Sequence, residues 1–365
     1  MNRMSRCSLR AAPAVLALLL AAAMFLGGCG GSPSSATSAT SAAAGAVTTT
    51  AAQTATTAGA AVEVPDVDLM MDWIPWVLDI PVDVAQAKGF YEQEGLKVHQ
   101  TVPAQATDVV KFVSTGKSQF GLYYSPDMLM ALDEGAPLVS VGSLMSHAPV
   151  GMALKPGLSA DSPAALKDKV VSVPLIPSTR ASFSSMLAAA GVDAASVKVV
   201  DPGFGLVAPL LKGTVDAAAF TQFGELVEAE AQGQKLTYLD FRDWGTPDYA
   251  FLNVITTQEF AGSNPKTTRA FLRATYEGMA YAVANPEEAV SLYVKAHPEL
   301  DETLLLAQWK AAIPSLAIAA NGHPAGWQDV DAWGGLNEWM KSAGLLKTAV
   351  DLAPAVKNDY LDAAS

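Results

Sequence analysis

The sequence predicts an α/β fold, and three observations carry that prediction. Short apolar runs of strand length alternate with stretches whose apolar positions recur at helical spacing, from Leu69 to about Thr256. The alternation of strand and helix at this spacing means a parallel sheet. Hydrophobic residues make up 50% of the 365 positions and charged residues only 16%, enough for a sizeable core and, at this length, for more than one lobe. Formal net charge is −13. Setting aside Arg3, Arg6 and Arg10 in a leader leaves 20 basic against 36 acidic residues, a net −16. Such a surface repels phosphates, which argues against nucleic acid and anionic membranes as partners.

The chain opens on a positive segment, an apolar run from Ala14 to Leu26, and Leu26-Gly27-Gly28-Cys29, a small-residue cleavage site ending in cysteine. That tetrapeptide resembles the lipobox of bacterial lipoproteins, which implies cleavage before Cys29 and acylation there; the alternative is an ordinary signal peptide with a chance cysteine. Cys7 leaves with the leader, so the mature chain has one cysteine and no internal disulfide. No second apolar run reaches membrane-spanning length. From Gly30 to about Val64 the chain is Ser, Ala, Thr and Gly, unable to bury enough surface to offset its ordering entropy. It reads as a flexible tether with a reach of roughly 30 Å.

Leu69 to Val98 organises the remainder of the chain. Leu69-Met70-Met71 is a strand, Asp72-Trp73-Ile74-Pro75-Trp76 a turn with two indoles, and Pro81 opens a helix with Val82, Ala85, Gly89 and Phe90 on one side. In an open α/β sheet such a loop lies at the carboxyl ends of the strands, where ligands bind. Trp73 and Trp76 therefore either fill the core or face a ligand. Further on, Lys97–Val102 reads as a strand, Asp108–Thr115 as a helix, Ser118–Tyr124 as a strand, Asp127–Glu134 as a helix stopped by Gly135, and Ala136–Val141 as a strand. Tyr124 and Tyr123 point to opposite faces by the period of two.

Gly151–Lys155 reads as a crossing segment between lobes. Pro177-Ser178-Thr179 precedes a helix through Ala190, with Ser178 and Thr179 suited either to capping it or to offering its free N–H groups to a ligand. Lys198–Val200 is a strand, followed by Gly203-Phe204-Gly205-Leu206-Val207-Ala208, which matches a dinucleotide-binding pattern. Pro209 interrupts the helix that pattern requires, so it reads as a tight turn with Phe204 at a cleft rim. Gln222-Phe223-Gly224-Glu225 follows the strand ending at Phe220, and Glu225 is either a ligand acceptor or a first-turn glutamate favoured by the helix dipole. Asn264-Pro265 and Asn285-Pro286 start two helices, and Trp333–Leu346 fits a closing one. Phe271, Tyr276, Tyr281, Trp309 and Trp339 read as core.

Asp72, Trp73, Pro75, Lys88, Gly89, Phe90, Tyr91, Gly95, Leu96 and Val98 together resemble the opening motif of the thiamine pyrimidine precursor-binding (SsuA/THI5-like) family of ABC-transporter substrate-binding lipoproteins. Gly116–Gly121, Gly213–Phe220, Thr246–Tyr249 and Asn264–Ala274 resemble later motifs of the same proteins. The family's histidine position falls on Asp79, which otherwise reads as a helix N-cap before Pro81. The resemblance implies a type II periplasmic-binding-protein fold, two α/β lobes with a ligand cleft and two crossing hinge segments. It divides the chain into a leader over 1–29, a tether over 30–64, lobe 1 over 65–150, lobe 2 over 151–248, and a return to lobe 1 with C-terminal helices over 249–365. It implies a ligand held by Trp73, Trp76, Asp79, Tyr124, Ser125, Ser178, Thr179, Phe220, Glu225 and the hinge Tyr249, with Cys29 lipidated.

His99, His147, His297 and His323 are scattered, with no pair at metal-ligand spacing, and no catalytic signature is present, so the expectation is a monomeric binding protein without catalytic residues, metal or cofactor. Its expected partners are a small-molecule ligand, an ABC permease and, through lipid, the extracytoplasmic face of a bacterial cell membrane. Aromatic faces with acidic neighbours favour a flat, donor-rich heterocycle of the thiamine-pathway pyrimidine kind. A sulfonate, taurine or nitrate receptor is the alternative within the same fold and requires a cleft cation, for which Arg180 is the candidate. A pyrimidine-modifying enzyme is the alternative outside binding proteins.

Overall fold

The computed structural model describes residues 61–105, 107–201 and 205–362. The leader, Cys29, most of the tether and Phe204 lie outside the described residues. Those described belong to one unit, residues 57–365.

The chain builds a first sheet, leaves it, builds a second and returns. The first stretch is β1 (Asp66–Met70), a 3-10 turn at Val77–Asp79, α1 (Ile80–Ala87), α2 (Phe90–Gln93), β2 (Lys97–Thr101), α3 (Asp108–Ser114), β3 (Phe120–Tyr124), α4 (Ser125–Asp133) and β4 (Leu138–Met145). The second is β5 (Val150–Leu154), β6 (Val170–Ser172), α5 (Pro177–Ala189), β7 (Lys198–Val200), α6 (Val207–Leu211), β8 (Ala217–Thr221), α7 (Glu225–Ala231) and β9 (Tyr238–Asp240). The return is β10 (Leu252–Thr257), then α8 (Gln258–Ser263), α9 (Pro265–Ala284), α10 (Pro286–Ala296), α11 (Glu302–Ala312), α12 (Val330–Ser342) and α13 (Leu352–Ala355). Proline in the first turn opens α1, α4, α5, α9 and α10, where its missing N–H has no helical partner to lose.

The sheets run β2-β1-β3-β10-β4 and β7-β6-β8-β5-β9. Neither is wholly parallel, which corrects the expectation from alternation alone. β10 is antiparallel to both β3 and β4, and β5 is antiparallel to both β8 and β9. Each exception is the first strand after the chain passes from one sheet to the other. A chain leaving one sheet by its carboxyl edge enters the facing sheet by that same edge, so its strand must run backwards. The crossings are residues 146–149 and 245–251, not Gly151–Lys155, which lies within and just after the inner strand β5. Gly151 permits that pairing, since a Cβ there would fall 2.3 Å from the Leu239 carbonyl oxygen.

Both faces of each sheet are covered. Val67, Leu69, Phe120, Leu122, Val141 and Val254 meet α1, α9, α10 and α11 on one side of the first sheet. Met70, Tyr123 and Ile255 meet α3, α4 and α12 on the other. Leu154, Val171 and Ala219 meet α5 in the second lobe, while Ala218 and Phe220 meet α6 and α7. Strands buried on two faces read as continuous apolar runs, as these do. The last residues assigned to the tether are docked on this body: Val62 and Val64 pack on the first core, and Glu63 accepts the N–H groups of Lys266 (3.3 Å) and Thr267 (2.8 Å) at the start of α9.

Candidate functional site

β1, β3 and β4 end where the chain crosses, and β6, β8 and β9 end facing them. The loops at these ends form the candidate site, as expected for ligands in open α/β sheets. After β1 the chain exposes Trp73 (40%) and Ile74 (58%) while burying Asp72 completely. Asp72 accepts the Tyr124 hydroxyl and, at 3.3 Å, the Trp76 indole N–H. Asp79 accepts the Trp76 backbone N–H (3.2 Å) and the Tyr293 hydroxyl from α10 (3.1 Å). The double-indole loop is thus held from beneath by two carboxyls.

Among the described residues no lysine or arginine pairs with these acids, and His297 lies 4.0 Å from the neighbouring Asp83. Burial raises Asp72 to about 6, opposed by its bonds from Tyr124 and Trp76. Burial, then repulsion from Asp72, raises Asp79 well above the usual carboxylate range. Asp83, one turn into α1, is pushed by burial to about 7, and Asp127 at the start of α4 to about 6. One oxygen each of Asp79 and Asp83 is buried without a hydrogen-bond partner. Asp72 and Asp79 titrate as a coupled pair: burial disfavours the charged form of both, and repulsion between them disfavours charging the second once the first is charged.

The second lobe answers with a loop of similar shape. After β6 the chain exposes Leu175 (67%) and Ile176 (45%). Arg180 on α5 holds this loop through its Nε on the Pro174 carbonyl (3.1 Å) and its Nη2 on the Val173 carbonyl (3.2 Å). After β8, Glu225 accepts both the N–H (2.8 Å) and the hydroxyl (2.7 Å) of Thr221. Phe223, two residues earlier, reaches across and joins the first lobe's core, 5.5 Å from the Trp76 ring.

The crossings carry their own polar cluster. His147 Nδ1 lies 2.5 Å from Asp248 Oδ2, joining the two crossing segments directly. Arg242 binds Asp240 at the end of β9 (2.6 Å) and lies 3.7 Å from Asp248. Gln222 donates to Asp240 (3.1 Å). A cavity of about 550 Å3 opens beside the crossings, lined among others by His147, Asp248, Tyr249, His323, Trp327 and Asp329. None of the loops after β1, β3, β6 or β8 contributes to its wall, so it is separate from the cleft between the sheets.

Of the residues expected to hold a ligand, the structure brings Trp76 and Tyr124 together on Asp72 and leaves Trp73 exposed in the same loop. Asp79 lies beneath them inside the lobe rather than at its surface, in the N-cap position of α1 but capping the preceding turn instead. Ser125 is buried, donating to the Ala250 carbonyl and accepting from Asn253 Nδ2 (2.8 Å). Phe220 is core beneath the second sheet, because period two points it away from α5 and towards α6 and α7. Tyr249 is buried in the core beside the hinge. Ser178 and Thr179 fall inside the first turn of α5, and Ile176 occupies the cap position with no side-chain bond, since Pro177 already fixes the helix start. Sequence reasoning missed Asp72, Phe223, Tyr293 and Arg242 as site residues. Asp72 belongs to the opening motif and was legible there; Phe223 and Tyr293 act through contacts across more than 100 positions, and Arg242 through Asp240 and Asp248 close to it in the chain, which no motif marks.

Two mixed sheets whose carboxyl edges face each other, joined by two crossings, define a type II periplasmic-binding-protein fold. The periplasmic aliphatic sulphonate-binding protein SsuA of Escherichia coli has this fold, with a TM-score of 0.67 at 16% identity over 80% of this chain and 92% of that one. A family model described as NMT1/THI5 like matches residues 79–289. The chain belongs to that family. It is 28% identical over 287 residues to a formylaminopyrimidine-binding protein of Halalkalibacterium halodurans, covering 78% of this chain and 87% of the relative. It is also 24% identical over 298 residues to a 4-amino-5-hydroxymethyl-2-methylpyrimidine phosphate synthase of Legionella pneumophila, covering 81% and 92%.

Proposed function

We propose that this chain is the ligand-capturing lipoprotein of an ABC importer, a monomer anchored through Cys29 at the extracytoplasmic face of a bacterial cell membrane. Its ligand is a planar, donor-rich heteroaromatic of the thiamine-pathway pyrimidine kind, closed between two lobes and released unchanged to a permease. The observation that carries this reading is the character of the facing loops. They present Trp73 and Ile74 from one lobe and Leu175 and Ile176 from the other to solvent, with the buried carboxyls of Asp72 and Asp79 beneath the first pair, while Arg242 is paired with Asp240 and Arg180 turns its Nε and Nη2 to backbone carbonyls of its own loop. Rings offer stacking, and an acidic floor favours ring N–H groups or an exocyclic amine. Ser178 and Thr179 at the start of α5, with the outer oxygen of Glu225, are the polar groups on the opposite side.

A sulfonate or nitrate ligand calls for a cation facing the cleft; Arg242 is neutralised by Asp240, and Arg180 spends two of its donors on holding the Val173 and Pro174 carbonyls. Some relatives are named as pyrimidine synthases, but the position the resemblance gives to a reacting histidine holds Asp79. Its carboxyl is enclosed by Trp76 and Tyr293. The test is titration of the purified chain with aminopyrimidines, a flavin, taurine and nitrate while tryptophan emission is followed. Saturable quenching by the heteroaromatics alone is expected. A response confined to the anions, or conversion of an aminopyrimidine to product, overturns the proposal.

A further inference from the structure

Phe223 belongs by chain position to the second lobe, two residues past the end of β8, yet its side chain is 1% exposed and packs within the first lobe's core. Its ring centroid is 5.5 Å from that of Trp76, tilted by 45°. The turn that sends it across is tightly made. Thr221 Oγ accepts the Gly224 N–H (3.1 Å) and donates to Glu225, whose same oxygen also accepts the Thr221 N–H. A Cβ on Gly224 would fall 2.4 Å from Thr221 Oγ, so this turn requires glycine. From the first lobe, Gln308 on α11 donates to the Gly224 carbonyl (3.3 Å), and α11 packs on α7.

We infer that Phe223 is an interlobe latch: a second-lobe ring seated in the first lobe that holds the cleft shut on one side and fixes the orientation of the Trp76 indole. Thr221, Gly224 and Glu225 are positioning residues that aim it. The latch has two consequences. The unliganded chain already favours the closed arrangement, so a ligand contributes less of the free energy of closure and binds more tightly than it would to freely swinging lobes. Trp76, held by Asp72 and Asp79 from below and by Phe223 from the side, meets the ligand in one orientation, which selects for ring geometry. The role of Trp76 rests on the binding reading above; the latch itself rests on the seat of Phe223 in the first lobe's core and on the bond from Gln308 to Gly224.

The test uses the full chain with Cys7 and Cys29 replaced by serine and spin labels at two exposed positions, Gln93→Cys in the first lobe and Ala194→Cys in the second. Pulsed electron-spin distance measurements without any ligand are expected to give one narrow distribution. Phe223→Ala is expected to broaden it and shift it to longer distance, and Phe223→Leu to do so only in part. Gly224→Ala, which leaves the ring but breaks its turn, should reproduce the broadening. Circular dichroism and thermal melting establish that each variant is folded. Folded Phe223→Ala or Gly224→Ala chains keeping the narrow distribution overturn the latch, whatever the cleft binds. Broadening in both, with the proposed heteroaromatics failing to bind, upholds the latch and rejects the ligand reading alone.

Discussion

The loops after β1 and β6 occupy corresponding places in the two lobes and are supported in different ways. Each follows a parallel strand, exposes two large apolar side chains and feeds a proline-opened helix. The first is held by buried groups: Tyr124 and Trp76 bond to Asp72, and Trp76 and Tyr293 to Asp79. The second has no buried polar network among the described residues and hangs from one half-buried guanidinium on two backbone carbonyls. The difference assigns the loops separate tasks. The first is a preformed platform, ready before a ligand arrives. The second is a lip that adapts to what the platform holds.

The comparison breaks most severely at Asp72. Asp72→Ala leaves the Tyr124 hydroxyl and the Trp76 indole N–H unpaired, offset in part by removing a buried charge, for a net loss of about 2 kcal/mol. For a body of this size that is a fall in melting temperature of about 3 °C. Thermal melts followed by circular dichroism check it, and an unchanged melting temperature would place the support of the platform elsewhere.

The pH response separates the lobes next. The four carboxyls raised furthest, Asp72, Asp79, Asp83 and Asp127, all belong to the first lobe. A carboxyl raised on folding favours the protonated folded state, so its contribution is complete below about pH 4 and is lost as pH rises through its folded value. For Asp72, Asp127 and Asp83 that loss runs through about pH 6 to 7. Carboxyls held low, such as Asp216 beside Lys155, act in the opposite sense, present above the ordinary range and lost only in acid. The chain should therefore melt at a higher temperature near pH 5 than at pH 8. Asp83→Asn should flatten that slope, and a slope undiminished in this variant would remove Asp83 from the account.

Arg180→Met sharpens the comparison from the other side. Freeing the Val173 and Pro174 carbonyls of a half-buried donor costs about 1 kcal/mol. Amide hydrogen exchange should rise in residues 173–178 and stay unchanged in 71–79; matching changes in both loops would mean they are not independently supported. Leu175→Ser is the mildest change, within about 0.5 kcal/mol on stability because the side chain already faces water. It should weaken heteroaromatic binding all the same, and an unaltered affinity would exclude that lip from ligand contact.

Much of this scaffold was legible in the chain. Asn-Pro pairs mark the starts of α9 and α10, Lys198–Val200 coincides with β7, and the loop after β1 stands out through its two indoles. The strand direction of β5 and β10 was not legible, because alternation of elements says nothing of which edge a chain enters after changing sheets. Phe220 and Phe223 show the same limit within one turn. Both are phenylalanines near the end of β8, yet Phe220 closes its own lobe's core and Phe223 fills the other lobe's. Only the turn built by Thr221, Gly224 and Glu225 distinguishes them. Asp79 is unusual by sequence alone, but its partner Tyr293 lies more than 200 positions away and no local pattern announces it.

The most direct test is isothermal titration of an aminopyrimidine that quenches the native chain into Trp73→Ala, whose exposed indole supports no core. Loss of one stacking face predicts affinity lower by about tenfold with melting temperature unchanged. Native affinity in that variant would contradict the platform after β1 as the place where the ligand is held.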